Sequence, residues 1–194
     1  MKQIKLIVIG ASAGGVEVVK QILSGRFRGE VPPIVIVLHR SEDSKASCAF
    51  LFSSVTRLKV KEAEEKEALE NSCVYVAPAG YHLLIEADMT FSFSMEDKVN
   101  WARPSIDVLF ESAAEALGPS VLGIVLSGAN QDGAAGLRRI EDRGGLVVVQ
   151  DPTSAQYAEM PRASAAATKK AKVLSVSAIT DLLTGENWKE EYVS

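Results

Sequence analysis

The chain is poor in the residues that build metal sites and disulfide frameworks. Its 194 residues include only two histidines and two cysteines, Cys48 and Cys73. The two thiols do not have the spacing of metal ligands, and a cytosolic protein would keep them reduced. We therefore expect no metal site, no disulfide scaffold and no other cofactor.

Long apolar runs and an excess of positive charge are also missing. The first apolar run ends at Gly10, too early for a signal peptide or a membrane-spanning helix. A net charge of −4 and a pI near 5.3 argue against nucleic acid or an anionic membrane as the main partner. With 47% hydrophobic and 24% charged residues, the composition is that of an ordinary globular protein. We expect a cytoplasmic protein without membrane insertion.

Predicted strands and helices alternate along the chain, which favours an α/β fold. The runs 4–9, 34–38, 121–126 and 146–151 are strongly apolar, as in parallel strands that are covered on both faces. The alternation predicts a doubly wound, mostly parallel sheet with helices on both faces. A small antiparallel hairpin is predicted from 83–86 and 90–94.

Less regular segments complete the predicted organisation. A polar loop is expected at 41–45, with a helix near 46–55. The charged run 64–70 is interpreted as a solvated turn or a short helix. We expect one catalytic-type domain over residues 1–184 and a polar tail over 185–194.

A turn of small residues, Gly10-Ala11-Ser12-Ala13-Gly14-Gly15, follows the first strand and opens a helix. Such a turn either binds an anion on the N–H groups of a helix N-terminus or presents a side chain at the end of a strand. Ser12 is the only side chain of the turn that can do chemistry. Two hypotheses stay open: Ser12 is a nucleophile, or it is a polar residue that caps the helix.

Two more polar residues follow strongly apolar strands, namely His39 and Asp132. In a doubly wound sheet the carboxyl ends of the strands share one edge, where ligands bind. A serine nucleophile needs an imidazole to take its proton and a carboxylate to orient that imidazole, so the three residues form a candidate triad. The alternatives are a merely hydrogen-bonded His39 and an Asp132 that caps the helix beginning at Gly133.

Six segments of the chain, in order, resemble the catalytic domain of the chemotaxis protein-glutamate methylesterases, the CheB family. One glycine-rich turn would be weak evidence, whereas six ordered motifs over roughly residues 4–183 make a chance resemblance improbable. The segments are Ile9–Gly15, Leu38-His39, Val74–Leu83, Arg103–Phe110, Ser127–Gly136 and Met160–Ala163.

The resemblance implies a Ser/His/Asp hydrolase without a cofactor. Ser12 would be the nucleophile, His39 the general base and acid, and Asp132 the orienting carboxylate. Members of this family hydrolyse glutamate methyl esters on the cytoplasmic helices of methyl-accepting chemotaxis receptors, and many also deamidate receptor glutamines. The backbone N–H groups of Ala13 and Ala129 stand where the family has its oxyanion hole.

Arg103 also falls within a matching segment, and its role is left open at this point. As a cation beside the cleft it would guide an acidic receptor helix or bind a flanking carboxylate. Alternatively, Arg103 forms a surface ion pair or caps a loop.

The sequence departs from the family pattern around the proposed cleft. Ala13 replaces a threonine, Ala129, Asn130 and Gln131 replace methionine, glycine and asparagine, and residues 98–102 replace a proline-rich lead-in and a basic pair. The receiver domain of typical members has no counterpart in this sequence, so we expect a stand-alone enzyme, an excised domain or a module controlled by a separate receiver or signalling protein. Two other functions are weighed: a non-catalytic receptor-binding regulator of the same fold, and, with less support, a nucleotide-binding domain.

Overall fold

The computed structural model describes residues 3–39 and 48–185. It contains nine strands and six α-helices in these ranges, with a 3₁₀ turn at Gly118–Ser120. The strands are β1 Leu6–Ala11, β2 Ile34–Leu38, β3 Lys59–Glu62, β4 Cys73–Val76, β5 His82–Ile85, β6 Phe91–Ser94, β7 Val121–Val125, β8 Leu146–Gln150 and β9 Lys172–Leu174. The helices are α1 Gly15–Leu23, α2 Cys48–Ser53, α3 Ile106–Leu117, α4 Ala134–Asp142, α5 Glu159–Ala167 and α6 Val176–Thr184.

Seven parallel strands form one sheet in the order β3-β4-β2-β1-β7-β8-β9. The remaining two, β5 and β6, form an antiparallel hairpin. The predicted fold class is therefore confirmed. The chain runs from β1 to one side of the sheet and later returns to the other side through β7, so the strand order reverses at β1. The crevice beyond the carboxyl ends of the strands at such a reversal is where α/β folds bind ligands.

Apolar residues cover both faces of the sheet, which explains the uninterrupted hydrophobic runs of β1 and β2. In β1, Ile7 and Ile9 face a core with α1 and α6, whereas Leu6 and Val8 face a core with α3 and α4. All six residues of β1 are buried. Successive side chains of a strand point to opposite faces, so a strand buried on both sides has no polar position to spare.

Some of the less regular segments can be compared with their predictions. The charged run 64–70 forms a turn with Lys66 in the left-handed region, at a φ of 63°, and no helix. The helix expected near 46–55 is present as α2. The loop predicted at 41–45 and most of the tail predicted at 185–194 lie outside the described residues. The assignment of residues 1–184 to one catalytic domain stays a prediction.

Candidate active site

Neighbouring parallel strands bring Ser12 and His39 to the same point of the sheet edge. The last paired residues of β1 and β2 are Ala11 and Leu38. Ser12 and His39 follow them directly, and the His39 N–H still donates to the Ala11 carbonyl at 3.1 Å. Paired parallel strands are about 4.8 Å apart, so the two residues leave the sheet side by side.

The turn that carries Ser12 is hydrogen-bonded to Ser127, just after β7, and it requires glycine at position 14. The Ser12 N–H donates to the Ser127 carbonyl at 2.9 Å. Gly14 has a φ of +74°, and a Cβ there would lie 2.8 Å from Gln156 Oε1 and 2.9 Å from Ser127 Oγ. Both the left-handed backbone and the lack of space exclude larger residues. Ser12 itself stays half-exposed, and its hydroxyl has no hydrogen bond within the described part of the chain.

His39 and Asp132 meet although 93 positions separate them. The His39 Nε2 lies 2.8 Å from Asp132 Oδ2, with the His39 side chain 12% exposed and that of Asp132 fully buried. The two atoms are within hydrogen-bond distance, but the contact does not have hydrogen-bond geometry. On the other side of the ring, the Asn130 side-chain amide lies 3.4 Å from Nδ1. A carboxylate on Nε2 and an amide N–H on Nδ1 both favour the tautomer with its proton on Nε2.

Asp132 is held in place by donors from the start of α3. The Ser105 hydroxyl donates to Oδ1 at 2.8 Å, and the backbone N–H groups of Ile106 and Asp107 donate to Oδ2 at 2.7 Å and to Oδ1 at 3.2 Å. Burial by itself would raise the pKa of Asp132, but the contact with the His39 imidazole and the bonds from Asn100 and Ile106 outweigh it and lower the pKa to about 2. The carboxylate is therefore ionised at neutral pH.

The hypothesis that Asp132 caps the helix beginning at Gly133 is wrong. The N-cap of α4 is Gly133, with a φ of 93° and no side-chain cap. Asp132 instead accepts N–H groups of the first turn of α3, which lies far away in sequence but packs beside α4. Sequence rules for helix caps consider only neighbouring residues. They cannot predict this contact, because α3 is brought next to Asp132 by the tertiary fold.

The two residues expected at the oxyanion position, Ala13 and Ala129, have unpaired backbone donors. Neither the Ala13 N–H nor the Ala129 N–H has a hydrogen-bond partner among the residues that the structure describes. Ala13 lies in the Ser12 turn, and its carbonyl accepts a bond from Ser127 Oγ at 2.8 Å. Ala129 lies in the exposed loop after β7. The unpaired N–H of Ala13, directly after Ser12, is available to an anion that forms there.

Arg103 caps a loop. Its Nη1 donates to the carbonyls of Met95 and Glu96, each at 2.9 Å. Arg103 does not line the cleft beside the site, whereas Arg162 does. Of the alternatives for Arg103, the loop cap is the one that describes its position. The cation that lines the cleft is Arg162, to which the sequence analysis gave no role.

The cleft has a volume of about 750 Å³ and opens beside the loop that carries Asn130 and Asp132. Trp101 stands at its rim, with 93% of its surface exposed. The residues that line the cleft are Asn100, Trp101, Ala129, Asn130, Gln131, Gln156, Tyr157, Ala158, Glu159 and Arg162. Sequence reasoning missed Asn100 and Asn130 as parts of the site. The only signal for either was that both stand where the chain departs from the family pattern.

His82, the other histidine, has a structural position. It is 1% exposed, its Nδ1 accepts the Ser105 N–H at 3.2 Å, and its Nε2 lies 3.1 Å from the Asp97 carbonyl. In the described ranges no three His, Cys, Asp or Glu side chains are grouped as metal ligands. Likewise, none of the described helices is both long and apolar enough to cross a membrane.

Taken together, the fold and the site define a class: a doubly wound α/β protein with a serine, an imidazole and a buried carboxylate at the carboxyl edge of its sheet. The sequence profile of the CheB methylesterase family matches residues 7–183. The chain therefore belongs to the CheB methylesterase family, which confirms the predicted resemblance and the prediction that it is a hydrolase of this kind.

Named relatives and one solved structure agree with this membership. A Leptospira interrogans protein, provisionally named protein-glutamate methylesterase/protein-glutamine glutaminase, is 49% identical over 176 residues, which are 91% of this chain and 91% of the relative. The protein-glutamate methylesterase FrzG of Myxococcus xanthus is 36% identical over 90% of this chain, but the match spans 52% of FrzG. The crystal structure of the Thermotoga maritima CheB methylesterase catalytic domain superposes with a TM-score of 0.86 at 29% identity, covering 94% of this chain and 98% of that one.

Proposed function

We propose that this protein hydrolyses glutamate methyl esters on the cytoplasmic helices of methyl-accepting chemotaxis receptors, with Ser12, His39 and Asp132 as its catalytic triad. The observation that carries the proposal is the 2.8 Å contact between His39 Nε2 and the buried Asp132 carboxylate, next to Ser12 at the end of the adjacent strand. Family membership and the names of the relatives support the reaction class. The proposed substrate would place the reaction in the cytoplasm.

The orientation of the imidazole selects its catalytic nitrogen. Because Nε2 faces Asp132, Nε2 keeps its proton, the Asp132 carboxylate stays ionised, and Nδ1 is the proposed base. Nδ1 lies 3.4 Å from the Asn130 amide. In the proposed mechanism the Ser12 hydroxyl replaces that amide when substrate enters, and the ionised Asp132 stabilises the imidazolium that then forms.

The proposed reaction consists of two acyl transfers. Ser12 Oγ attacks the γ-carbonyl carbon of the ester while its proton passes to Nδ1, and the N–H groups of Ala13 and Ala129 bind the oxyanion. The imidazolium then gives that proton to the departing methoxide, which leaves as methanol. A water molecule attacks the acyl-enzyme and loses a proton to Nδ1, which passes that proton to Ser12 Oγ as the acyl bond breaks. The Ser12 hydroxyl is restored, and the glutamic acid product ionises to the carboxylate.

The same steps with an amide would release ammonia, and we include deamidation of receptor glutamines in the proposal. Both substrates present an acyl carbon on a flexible side chain, which an open cleft bounded by Trp101 and Tyr157 can admit. Arg162, which also lines the cleft, offers a cation to the carboxylates of an acidic receptor helix. Control by a separate receiver or signalling protein is part of the same proposal.

Methanol release from a methylated receptor fragment tests this function. We expect turnover by the parent chain and none by Ser12→Ala, with the melting temperature unchanged. Ser24→Ala is the matched control, because Ser24 is an exposed serine at the end of α1 whose hydroxyl donates to the Gln21 carbonyl. Turnover by Ser12→Ala at the parental rate would contradict the nucleophile.

An active-serine probe separates the enzyme from a non-catalytic regulator of the same fold. We expect a fluorophosphonate to label the parent chain and Ser24→Ala equally and to leave Ser12→Ala unlabelled. Receptor binding without labelling of Ser12 and without methanol release would favour the regulator.

A further inference from the structure

A tight turn beside the cleft places one amide between two buried carboxylates. The Val99 N–H donates to the Ala102 carbonyl at 3.2 Å, and the Ala102 N–H donates back to Val99 at 2.9 Å. The two residues between them have positive φ values, 50° for Asn100 and 64° for Trp101. Asparagine accepts this left-handed geometry readily, whereas a bulky aromatic residue rarely does. Since Trp101 is 93% exposed, its own packing does not compensate for that conformation.

The Asn100 side chain anchors this turn to the site. Its Nδ2 donates to Asp107 Oδ2 at 2.7 Å and to Asp132 Oδ1 at 2.9 Å. One amide nitrogen carries two hydrogens, so both bonds form at once. Asp107 is 6% exposed and Asp132 is fully buried, and two such carboxylates repel each other unless donors lie between them.

Asp107 connects the turn to two packed helices, α3 and α4. Its Oδ1 accepts the Gly136 N–H of α4 at 2.7 Å, while Asp107 itself lies in the first turn of α3. A Cβ at Gly136 would come within 2.6 Å of Phe110 Cβ, so α3 and α4 touch closely at this point. Asn100 therefore bonds to a residue whose position the core has already fixed.

Both oxygens of Asp132 accept hydrogen bonds from the start of α3, and each has one further neighbour. Oδ2 accepts the Ile106 N–H and faces His39, whereas Oδ1 accepts from Ser105, the Asp107 N–H and Asn100. A bond that fixes Oδ1 also limits rotation of the carboxylate about its last side-chain torsion. That rotation decides whether Oδ2 meets Nε2.

We infer that Asn100, itself held by Asp107, is a positioning residue that keeps the Asp132 carboxylate in the rotation that presents Oδ2 to His39. The inference rests on the proposed function only in that it gives the His39–Asp132 pair a catalytic use. The geometry that it describes is measurable without turnover.

The test uses Asn100→Gly, because glycine adopts the positive φ freely and the substitution removes only the amide. Trp101→Gly is the matched control at the next position of the same turn, since it removes a side chain that bonds neither carboxylate. The readout is the pair of imidazole ¹⁵N resonances of His39 in the full chain at neutral pH, which report the tautomer. His82 provides an internal reference in every spectrum.

We expect Trp101→Gly to keep the His39 resonances of the parent, with the proton on Nε2. Asn100→Gly should move both resonances toward the average of the two tautomers and lower kcat on methylated receptor fragment by about tenfold or more, with KM changed less than about twofold. Parental His39 resonances in a folded Asn100→Gly chain would overturn the inference. If Asn100→Gly does not fold, Asn100→Ser serves instead: its single hydroxyl hydrogen cannot bridge both carboxylates, so the same shift is expected and parental resonances overturn the inference.

The two proposals fail separately. A parent chain without methanol release would refute the proposed function, while the His39 resonances would still decide the positioning role.

Discussion

The Asn130 side-chain amide lies 3.4 Å from His39 Nδ1, the nitrogen that is left free by the contact between Nε2 and Asp132. Asn130 also accepts the Asp132 N–H through Oδ1 at 3.1 Å. The side chain thus has two separable functions: its oxygen shapes the loop, and its nitrogen holds the imidazole. In the proposed mechanism that nitrogen competes with the Ser12 hydroxyl for Nδ1.

Asn130→Gly removes this competitor. We expect Ser12 to react with a fluorophosphonate about 2–5 times faster, which corresponds to the loss of one weak neutral hydrogen bond. The free energy of unfolding should fall by about 1 kcal/mol, because the Asp132 N–H loses its acceptor. The comparison variant is Asn130→Asp, which keeps the acceptor for that N–H but offers oxygen to Nδ1. It should favour a protonated Nδ1 and label more slowly than the parent, and equal labelling rates for all three proteins would refute the competition.

Asp132→Asn tests the orienting carboxylate. The amide cannot stabilise an imidazolium and favours the wrong tautomer, so kcat should fall by about 10³-fold or more, as for comparable triads.

The low pKa of Asp132 also has a consequence for stability. Because the folded-state pKa of about 2 lies below the ordinary aspartate value of 3.8, the charged carboxylate stabilises the fold above about pH 4, and this contribution is lost as pH falls toward 2. Denaturant unfolding of parent and variant at pH 2, 3 and 5 should show their difference growing with pH, whereas a constant difference would contradict the assignment.

Asp107 should have the opposite dependence on pH. Burial raises its pKa to about 6, helped by the charges of Asp132 and Glu111 and opposed by the bonds from Gly136 and Asn100. The folded chain then binds more protons than the unfolded chain between about pH 4 and pH 6, so the contribution of Asp107 to stability declines as pH rises through that range. Asp107→Asn removes the titration. We expect the stability of the parent relative to this variant to be greater at pH 4 than at pH 7 in denaturant melts, and the reverse order would show that Asp107 stays charged throughout.

Trp101→Gly separates the backbone strain of the turn from the contact of the Trp101 side chain with substrate. Replacing a left-handed tryptophan with glycine removes about 1–2 kcal/mol of backbone strain. Glycine loses more chain entropy on folding, which costs about 0.5–1 kcal/mol, so the free energy of unfolding should rise by up to about 1 kcal/mol. The exposed indole stands at the rim of the cleft, and its loss should raise KM for a methylated receptor fragment several-fold, with little change in kcat. Calorimetry and initial rates measure the two effects. A destabilised variant with parental KM would mean that the indole supports the fold and makes no contact with substrate.

Much of this architecture could be read from local pattern. Strands β1, β2, β7 and β8 are apolar at nearly every position because both of their faces are covered, and that requirement alone places Ser12, His39 and Asp132 near strand ends. The glycine-rich segment 10–15 similarly marks a turn between a strand and a helix. Such features depend on neighbours in sequence, so periodicity and residue type are enough to predict them.

The tertiary structure alone decided which polar groups meet. Asp132 bonds to the first turn of α3 and to Asn100, 32 positions away, while Arg103 turns toward the carbonyls of a loop and leaves Arg162 beside the cleft. Hydrogen bonds act over about 3 Å and depend on direction, and a sequence specifies neither the distance nor the direction between segments that only the packed core brings together. The candidate nucleophile, base and orienting carboxylate were thus predicted from the sequence, and the contacts that orient them were determined by the fold.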